Sequence, residues 1–485
     1  MSGGVADYDL VVIGAGAAGL TAAGAAAAIG AKTALIEAER FGGDCTWHGC
    51  VPSKALLRAA DAAAEIRKAA RFGVDGRLVV DGTRVMTRVR QIRDQIYADA
   101  DAPEALNKYG IATFSARARF LDAHTIALEG DAPTRMTARR FVLATGSRPN
   151  PLDIDVPTLD TDSVWDIPTL PSRLLIVGGG PVATELAQAF VRLGSNVTLV
   201  TQSHTILTRD EPRAMEIIAR ALREDGVTIR TDARVSRASE SSGTITVELS
   251  DGSRLCVDRI LAAVGRQARV ADLGLDVAGV VVRNDLIAID RRCRTTARHI
   301  YAAGDCATSA RFTHVAERMA SVAIMNAIVG VPTFFDERSI TWTTFTQPEL
   351  AQVGPTQCEL RREGRHFVAQ SFPSAKLDRA IVDDAGDGYA AILSTKGGRV
   401  LAGTIVGPRA GDSIAEIGLA RARRLSVSDL ASTLHVYPTY AIGVRRAADS
   451  ALIRSRTALV VGVLRIVRRL RGTAPPLETL LPETP

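Results

Sequence analysis

Apolar and polar positions form distinct blocks at the start of the chain. The apolar run Tyr8–Ile13 predicts a buried strand, and the alanine-rich stretch Leu20–Ile29 predicts a helix. A second strand, Thr33–Ile36, ends at Glu37. The turn after the first strand carries three glycines, Gly14, Gly16 and Gly19. Such glycines let the backbone approach a pyrophosphate, and the carboxylate can accept from a ribose hydroxyl, so the order predicts a dinucleotide site. A purely structural turn is the alternative.

The same order recurs in the middle of the chain. Its parts are a strand at Leu174–Val177, the turn residues Gly178, Gly180 and Ala183, a helix through Leu193, and a strand at Asn196–Val200. This strand ends in Thr201-Gln202-Ser203-His204 and carries no acid. NAD favours a carboxylate there, whereas Ser203 and His204, with Arg209 nearby, would suit a 2′-phosphate. The pattern favours NADPH over NADH, with an ordinary loop as the alternative.

A third segment supports a flavin. The apolar strand His299–Ala303 runs into Gly304-Asp305, where an aspartate can hold a polyol chain. Two dinucleotide folds in one chain indicate two dinucleotides, of which the economical pair is a bound FAD and an exchanging nicotinamide.

Length and composition agree with a globular enzyme. At 485 residues the chain predicts about three domains. With 46% hydrophobic and 23% charged residues it is neither a disordered chain nor a disulfide-stapled miniprotein. The longest apolar stretches, Leu20–Ala31 and Ala458–Leu464, fall short of the roughly 20 residues that span a bilayer. Asp7 and Asp9 argue against a secretion signal, so we expect a cytoplasmic protein.

The net charge of +6 is concentrated near the C-terminus. Six arginines and no acid lie between Arg454 and Arg471, so the rest of the chain has a net charge of zero. The sequence therefore gives no support for nucleic-acid binding.

Two of the six cysteines, Cys45 and Cys50, lie close together in FGGDCTWHGCVPSK. On a helix their separation is a little over one turn, close enough to bridge if the first turn is distorted. A metal site would need further ligands at matched spacing; His48 is adjacent, but there is no second pair. Two buried free thiols are the other alternative. The glycine-flanked position beside a flavin unit favours a redox-active disulfide.

These motifs resemble the class I pyridine nucleotide–disulfide oxidoreductases, the family of dihydrolipoamide dehydrogenase, glutathione reductase and mercuric reductase. The resemblance runs from Tyr8 to about Asp449 and includes the cysteine segment and four further motifs: LATGSRP at Leu143–Pro149, GGGPVATE at Gly178–Glu185, YAAGDCA at Tyr301–Ala307, and TFTQPELAQVG at Thr344–Gly354. It implies an α/β fold with two Rossmann-like domains, for FAD and NAD(P), and an α+β C-terminal dimerisation domain.

The resemblance also implies residue roles. Cys50 would be the thiolate beside the flavin, Cys45 would attack the substrate, and Lys54 would approach the flavin and pair with Glu185. The implied FAD-binding residues are Gly14, Gly16, Gly19, Glu37, Lys54, Thr145, Gly146 and Asp305. The predicted nicotinamide-binding residues are Gly178, Gly180, Ala183, Ser203, His204 and Gly265.

One segment departs from the lipoamide and glutathione enzymes, in which a second subunit supplies a catalytic His-Pro-Thr and a following Glu. The matching stretch is LHVYPTYAIG, Leu434–Gly443, with Tyr437 in place of the base and Ile442 in place of the acid. His435 lies two residues away and could replace the catalytic base only if the loop were rearranged. Mercuric reductase also has tyrosine there, and the cysteine segment looks closer to that branch. The C-terminal cysteine pair of mercuric reductase has no counterpart in this sequence, however, because the last cysteine is Cys358.

The resemblance therefore predicts a homodimer that reduces a small-molecule disulfide, a metal–thiolate or an electrophile. A dihydrolipoamide dehydrogenase-like activity and a redox-responsive binding protein with slow turnover are the alternatives. The predicted domains are FAD-binding residues 1–145 and 271–337, NAD(P)H-binding residues 146–270, interface residues 338–450 and a basic tail, 451–485. The tail has an amphipathic pattern that predicts either weak contact with an anionic membrane or a helix packed on the dimer.

Overall fold

The computed structural model describes residues 6–130, 134–455, 463 and 465–468. The basic tail predicted at 451–485 lies mostly outside these residues. The chain divides into two compact units. The first contains residues 1–178, 189–200 and 233–336, and the second contains residues 179–188, 201–232 and 337–485.

A six-stranded sheet organises the first unit. Its N-terminal elements are β1 (Tyr8–Ile13), α1 (Ala17–Ala28), β2 (Thr33–Glu37), α2 (Gly43–Trp47), α3 (Cys50–Lys68), α4 (Gly82–Ile96), α5 (Pro103–Asn107), β3 (Ile111–Phe120), β4 (Thr125–Gly130) and β5 (Arg135–Leu143). Strand β1 lies between β2 and β5 with parallel pairing on both sides, and β3 extends the sheet beyond β2. Residues Leu10–Val12 are fully buried, as expected for a central parallel strand.

Small side chains bring a helix close to this sheet. Ala18, Ala22 and Ala26 lie buried on α1, which packs against the later helix α8 (Thr313–Ile324). An alanine face lets two helices approach closely and places the turn before α1 at the carboxyl ends of the strands.

The chain continues through the second dinucleotide motif. Its elements are β6 (Ser147–Pro149), β7 (Leu159–Asp160), β8 (Arg173–Val177), α6 (Pro181–Arg192), β9 (Asn196–Val200), α7 (Pro212–Asp225), β10 (Thr228–Arg230), β11 (Val235–Ser241), β12 (Thr244–Leu249), β13 (Arg254–Val257), β14 (Arg259–Ala262) and β15 (Arg266–Ala268). Within the first unit, β8 pairs in parallel with β9 and with β14, and β14 pairs with β7. Strand β15 pairs antiparallel with β6.

The first unit closes with β16 (Val282–Arg283), β17 (Leu286–Ile287), β18 (Ile300–Ala302) and α8 (Thr313–Ile324). Strand β18 adds to β5 in parallel, so Gly304 and Asp305 follow a strand of the same sheet as Gly14. The sequence predicted this strand at His299–Ala303.

An antiparallel sheet in the order β19-β20-β23-β22-β21 forms the core of the second unit. Its elements are β19 (Thr341–Thr344), β20 (Glu349–Val353), α9 (Gln357–Arg362), β21 (Val368–Pro373), α10 (Asp378–Val382), β22 (Tyr389–Ser394), β23 (Val400–Gly407), α11 (Ala410–Ala422), α12 (Val427–Ser432) and α13 (Ile442–Ser455). Helices α11 and α13 bury Ile414, Ile417 and Val444 against the sheet. The α/β fold class with two dinucleotide motifs and an α+β C-terminal domain is confirmed. Among the described helices, none is both long and apolar enough to cross a membrane.

Candidate redox site

The first glycine turn leaves no room for side chains. A Cβ on Gly14 would overlap the carbonyl of Ala144, and one on Gly19 would overlap the carbonyl of Gly14. Gly16 caps α1 without a side-chain hydrogen bond, so no capping side chain occupies the N–H groups of the first turn. An anion can approach these N–H groups closely, as the pyrophosphate of FAD requires.

Glu37 ends β2 beside this turn. Its Oε2 accepts from the Ala15 N–H at 2.7 Å and its Oε1 accepts from the Glu39 N–H at 2.8 Å. Burial raises the pKa of Glu37, and the two backbone donors counter that rise. Each carboxylate oxygen has two lone pairs, so Glu37 retains acceptor capacity for a ribose hydroxyl.

Three further residues of the predicted FAD set lie at the ends of β5 and β18. Thr145 donates its hydroxyl to the Arg269 carbonyl at 2.6 Å, and Gly146 has a left-handed φ of 71°. Asp305 accepts from the Ser147 hydroxyl at 2.6 Å. The glycine turn, Glu37 and Asp305 thus fit FAD along one edge of the sheet; we call these residues the flavin cradle.

The redox segment, residues 41–54, packs against this cradle. A Cβ on Gly43 would lie 2.5 Å from Gly16 Cα, so only glycine permits this approach. The two cysteines do not share one helix as the sequence suggested. Cys45 lies in α2 and Cys50 begins α3, because Gly49, with φ −104° and ψ −105°, interrupts the helical path.

The two thiols differ in acidity. A hydrogen bond from Cys45 lowers the pKa of Cys50 to about 6, helped by Thr313, whose Oγ1 lies 3.3 Å from Cys50 Sγ, and by Lys54. The same hydrogen bond and burial raise the pKa of Cys45. Cys50 also occupies the first position of a 19-residue helix, where the helix dipole favours a thiolate. The reduced pair is therefore a Cys50 thiolate that accepts from a Cys45 thiol.

The predicted partners Lys54 and Glu185 belong to different units. Lys54 lies one turn after Cys50 in α3. In the second unit, Glu185 is buried and accepts from the Phe345 N–H at 2.9 Å. Their ion pair stays a prediction.

Sequence reasoning missed a charged group beside the cysteines. Asp44 precedes Cys45, and its Oδ1 accepts from Arg266 Nη2 at 2.8 Å. Arg266 Nη1 donates to Asp162 at 3.3 Å. Asp44, Asp162 and His48 lie close enough to hold a metal ion, with ligand atoms within 4.8 Å of one another. Because Arg266 already supplies the positive charge, we interpret the group as an ion-pair network.

The residues of the second glycine motif are divided between the units. In the first, a Cβ on Gly178 would overlap the Ala263 carbonyl, and Gly265 has a left-handed φ of 102°. In the second, Gly180 and the buried Ala183 lie at the start of α6. Close packing of Gly178 is the reason that a dinucleotide turn needs glycine there.

The predicted 2′-phosphate residues lie in the second unit. Buried Thr201 donates its N–H to the Arg230 carbonyl at 2.9 Å, and the Ser203 carbonyl accepts from Asp232 at 3.0 Å. His204 is exposed. The loop thus adjoins both a basic residue, Arg230, and an acid, Asp232.

The C-terminal candidates are also in the second unit, and both have partners. The His435 side chain is 6% exposed; its Nε2 lies 2.8 Å from Glu416 Oε2 and its Nδ1 lies 3.0 Å from the Thr433 carbonyl. Tyr437 is 62% exposed and donates its hydroxyl to Asp378. Ile442, in place of the family's acid, is buried at the start of α13.

Comparison with known proteins places the chain in a family. Residues 8–320 match the pyridine nucleotide-disulphide oxidoreductase model, and residues 340–448 match the dimerisation domain of the same family. The chain is 31% identical to a dihydrolipoyl dehydrogenase of Geobacillus stearothermophilus over 460 residues, covering 92% of this chain and 96% of the relative. It is 32% identical to a mercuric reductase of Lysinibacillus sphaericus over 456 residues, covering 91% and 82%.

A solved structure agrees with these matches. LpdA from Mycobacterium tuberculosis superposes with a TM-score of 0.84 at 26% identity, covering 91% of this chain and 99% of that one. With the glycine turns and the cysteine pair in place, this chain belongs to the pyridine nucleotide-disulphide oxidoreductases, a family of flavoproteins that bind FAD and a pyridine nucleotide.

Proposed function

We propose that this protein uses NADPH and FAD to reduce its Cys45–Cys50 disulfide, and that the resulting dithiol reduces a metal–thiolate in preference to a disulfide, as a mercuric reductase-like enzyme. The observation that carries the proposal is the combination of a Cys50 thiolate with Tyr437, rather than histidine, at the position of the family's base. When bound, FAD would accept hydride from the nicotinamide and supply two electrons to the disulfide.

The chain's own residues determine where the proton goes. Reduction of a disulfide by two electrons with uptake of one proton leaves one thiol and one thiolate. Thr313 and Lys54 favour the charge on Cys50, so the proton stays on Cys45. A neutral Cys45 is a weak nucleophile toward a disulfide unless a base removes that proton.

A dithiolate complex of a soft metal depends less on a base that removes the Cys45 proton. The two cysteine sulfurs would replace two thiolate ligands of the metal, releasing one as a thiol with the Cys45 proton and the other as a thiolate. The metal would then accept two electrons from the two cysteine sulfurs, which would rejoin as the Cys45–Cys50 disulfide. Metal ligation itself favours deprotonation of a thiol. Tyr437, whose pKa is raised by its hydrogen bond to Asp378, is a poor general base, and in the proposed dimer its hydroxyl would contact the partner's sulfurs as a neutral donor only after releasing Asp378.

Purified flavin-loaded protein tests the proposal. We expect nucleotide oxidation with Hg(II) in excess small thiol and little with oxidised lipoamide or glutathione disulfide. Tyr437→Phe, which removes the hydroxyl alone, should lower the metal-dependent rate. Rapid lipoamide-dependent turnover by the wild type, without turnover of the metal–dithiolate, would overturn the proposal.

A dihydrolipoamide dehydrogenase-like activity is the second candidate, favoured by the many relatives of that name. It needs a base that Tyr437 does not provide, and both ring nitrogens of His435 already have partners. The double variant Tyr437→His/Ile442→Glu should therefore gain disulfide reduction. A redox-responsive binding protein is a further alternative, which rapid turnover with any acceptor would exclude.

The preference for NADPH rests on the loop Thr201–His204. Replacing His204 by alanine should lower kcat/KM for NADPH about tenfold, the loss of about 1.4 kcal/mol, and leave NADH unaffected. Asp232→Asn serves as the opposite test, because a carboxylate that bound the ribose hydroxyl would affect NADH instead. Loss of NADH activity in Asp232→Asn would reverse the assignment.

A homodimer would complete the site. Leu434 is 93% exposed and Val436 is 77% exposed beside a hollow of about 450 Å³ that is also lined by Leu419 and Leu430. Exposed apolar side chains of this size are typical of interfaces. We propose that this surface meets a second copy and brings Tyr437 to the partner's cysteines.

A further inference from the structure

Arg266 makes an unusually complete set of contacts. Its side chain is 18% exposed. Its Nε donates to Ser147 Oγ at 2.8 Å, Nη1 donates to Thr161 at 3.0 Å and to Asp162 at 3.3 Å, and Nη2 donates to Asp44 at 2.8 Å and to the Ser147 carbonyl at 3.2 Å. A guanidinium has five N–H groups, which matches these five contacts.

The backbone at Arg266 is equally fixed. It begins β15 directly after Gly265, and it pairs with Pro149 of β6. Its partner Ser147 donates onward to Asp305 at 2.6 Å. Hydrogen bonds therefore run from Asp44 through Arg266 and Ser147 to the aspartate of the flavin cradle.

Asp44 lies where its charge acts on Cys50. The N–H groups of His48 and Gly49 donate to the Asp44 carbonyl, and a Cβ on Gly49 would lie 2.9 Å from Asp44 Oδ2. Gly49 immediately precedes Cys50, so the carboxylate packs on the turn that positions the thiolate. A carboxylate this close disfavours a second negative charge.

We propose that Arg266 is a positioning residue that fastens the redox segment to the flavin cradle and compensates the charge of Asp44 beside Cys50, a role that rests on the redox function proposed for the cysteine pair. The charges around Cys50 agree with this role: Asp44 offsets part of the lowering of the Cys50 pKa, while burial raises the pKa of Asp44 and Arg266 opposes that rise. Lysine cannot replace five donors in one plane.

Alkylation of Cys50 tests this role without nicotinamide or acceptor. The flavin-loaded Cys45→Ser protein is treated with iodoacetamide from pH 4.5 to pH 10, and modified Cys50 is measured by peptide mass spectrometry. Arg266→Gln should move the midpoint of the rate up by about one pH unit, whereas Asp44→Asn should move it down. The double variant Arg266→Gln/Asp44→Asn should return close to the parent midpoint. Arg259→Gln, an exposed position on β14, is the matched control.

Equal midpoints in the parent, Arg266→Gln and Asp44→Asn proteins would overturn the proposal, as would a double variant that behaves like Arg266→Gln. If Arg266→Gln does not fold, the direction of the Asp44→Asn shift decides, and an unchanged or raised midpoint rejects the idea. Shifted midpoints in a protein without acceptor turnover would reject the proposed function alone. Unshifted midpoints in an active enzyme would reject the role of Arg266 alone.

Discussion

The hydrogen bond between the two active-site thiols has a measurable consequence for Cys50. It is the largest influence that lowers the pKa of Cys50 to about 6. A hydrogen bond to a charged group is worth about 1.5–3 kcal/mol, which corresponds to about one to two pKa units. Solvent screens part of this effect because Cys50 is exposed.

Two substitutions of Cys45 separate the hydrogen bond from the loss of sulfur. Cys45→Ser keeps an O–H donor, so Cys50 should still titrate near pH 6. Cys45→Ala removes the donor, and the pKa should rise by at least one unit. At pH 7 the thiolate fraction would then fall from about nine-tenths to one-half or less. Thr313→Val in the Cys45→Ser protein should show a smaller rise.

Absorbance of the flavin-loaded variants gives the assay, since a thiolate beside oxidised flavin produces a long-wavelength band. The band should appear as pH rises through the pKa of Cys50 and vanish below it. Alkylation of Cys50 at the same pH values provides an independent titration. If Cys45→Ser and Cys45→Ala titrate together, the thiol–thiolate hydrogen bond does not set the acidity of Cys50, and the reasoning fails.

Three further outcomes follow from the structure. Gly43→Ala should lose FAD, because φ at Gly43 is left-handed at 59° and the new Cβ would lie 2.5 Å from Gly16 Cα. Gly73→Ala, at φ 76° with nothing within 4 Å of the new Cβ, controls for backbone strain alone, and equal FAD retention by the two variants would contradict the role of this contact. Burial raises the pKa of Asp210 to about 6, so the folded protein loses stability as pH rises from about 4 through 6. Asp210→Asn keeps an acceptor for Trp342 Nε1, and its free energy of unfolding in denaturant should gain up to about 3 kcal/mol relative to wild type over that range. A difference in unfolding free energy that does not change with pH would contradict this prediction. Leu434→Asp should weaken the dimer in sedimentation, whereas Val277→Asp, at another exposed apolar position, should not. Identical dissociation of both variants would contradict the proposed interface.

Local sequence patterns predicted the scaffold well. Strands β1 and β9 have the predicted bounds, and the glycine turn packs as its spacing requires. Apolar runs and glycine placement are local signals, so they carry information about neighbouring residues.

Contacts between distant residues could not be predicted in this way. Arg266 meets Asp44 across 222 positions, and Tyr437 meets Asp378 across 59. Neither contact has a periodic signature, because tertiary packing alone brings the groups together. The break at Gly49 between the two cysteines likewise depends on packing around Asp44.

The most direct test of the central claim is an anaerobic titration of the flavin-loaded protein with NADPH, and separately with NADH, followed in the visible spectrum. We expect a long-wavelength band after two electrons with NADPH, absent in Cys50→Ser. Bleaching of the flavin without that band would mean that Cys45 and Cys50 do not take part in electron transfer, and the proposed redox site would be wrong.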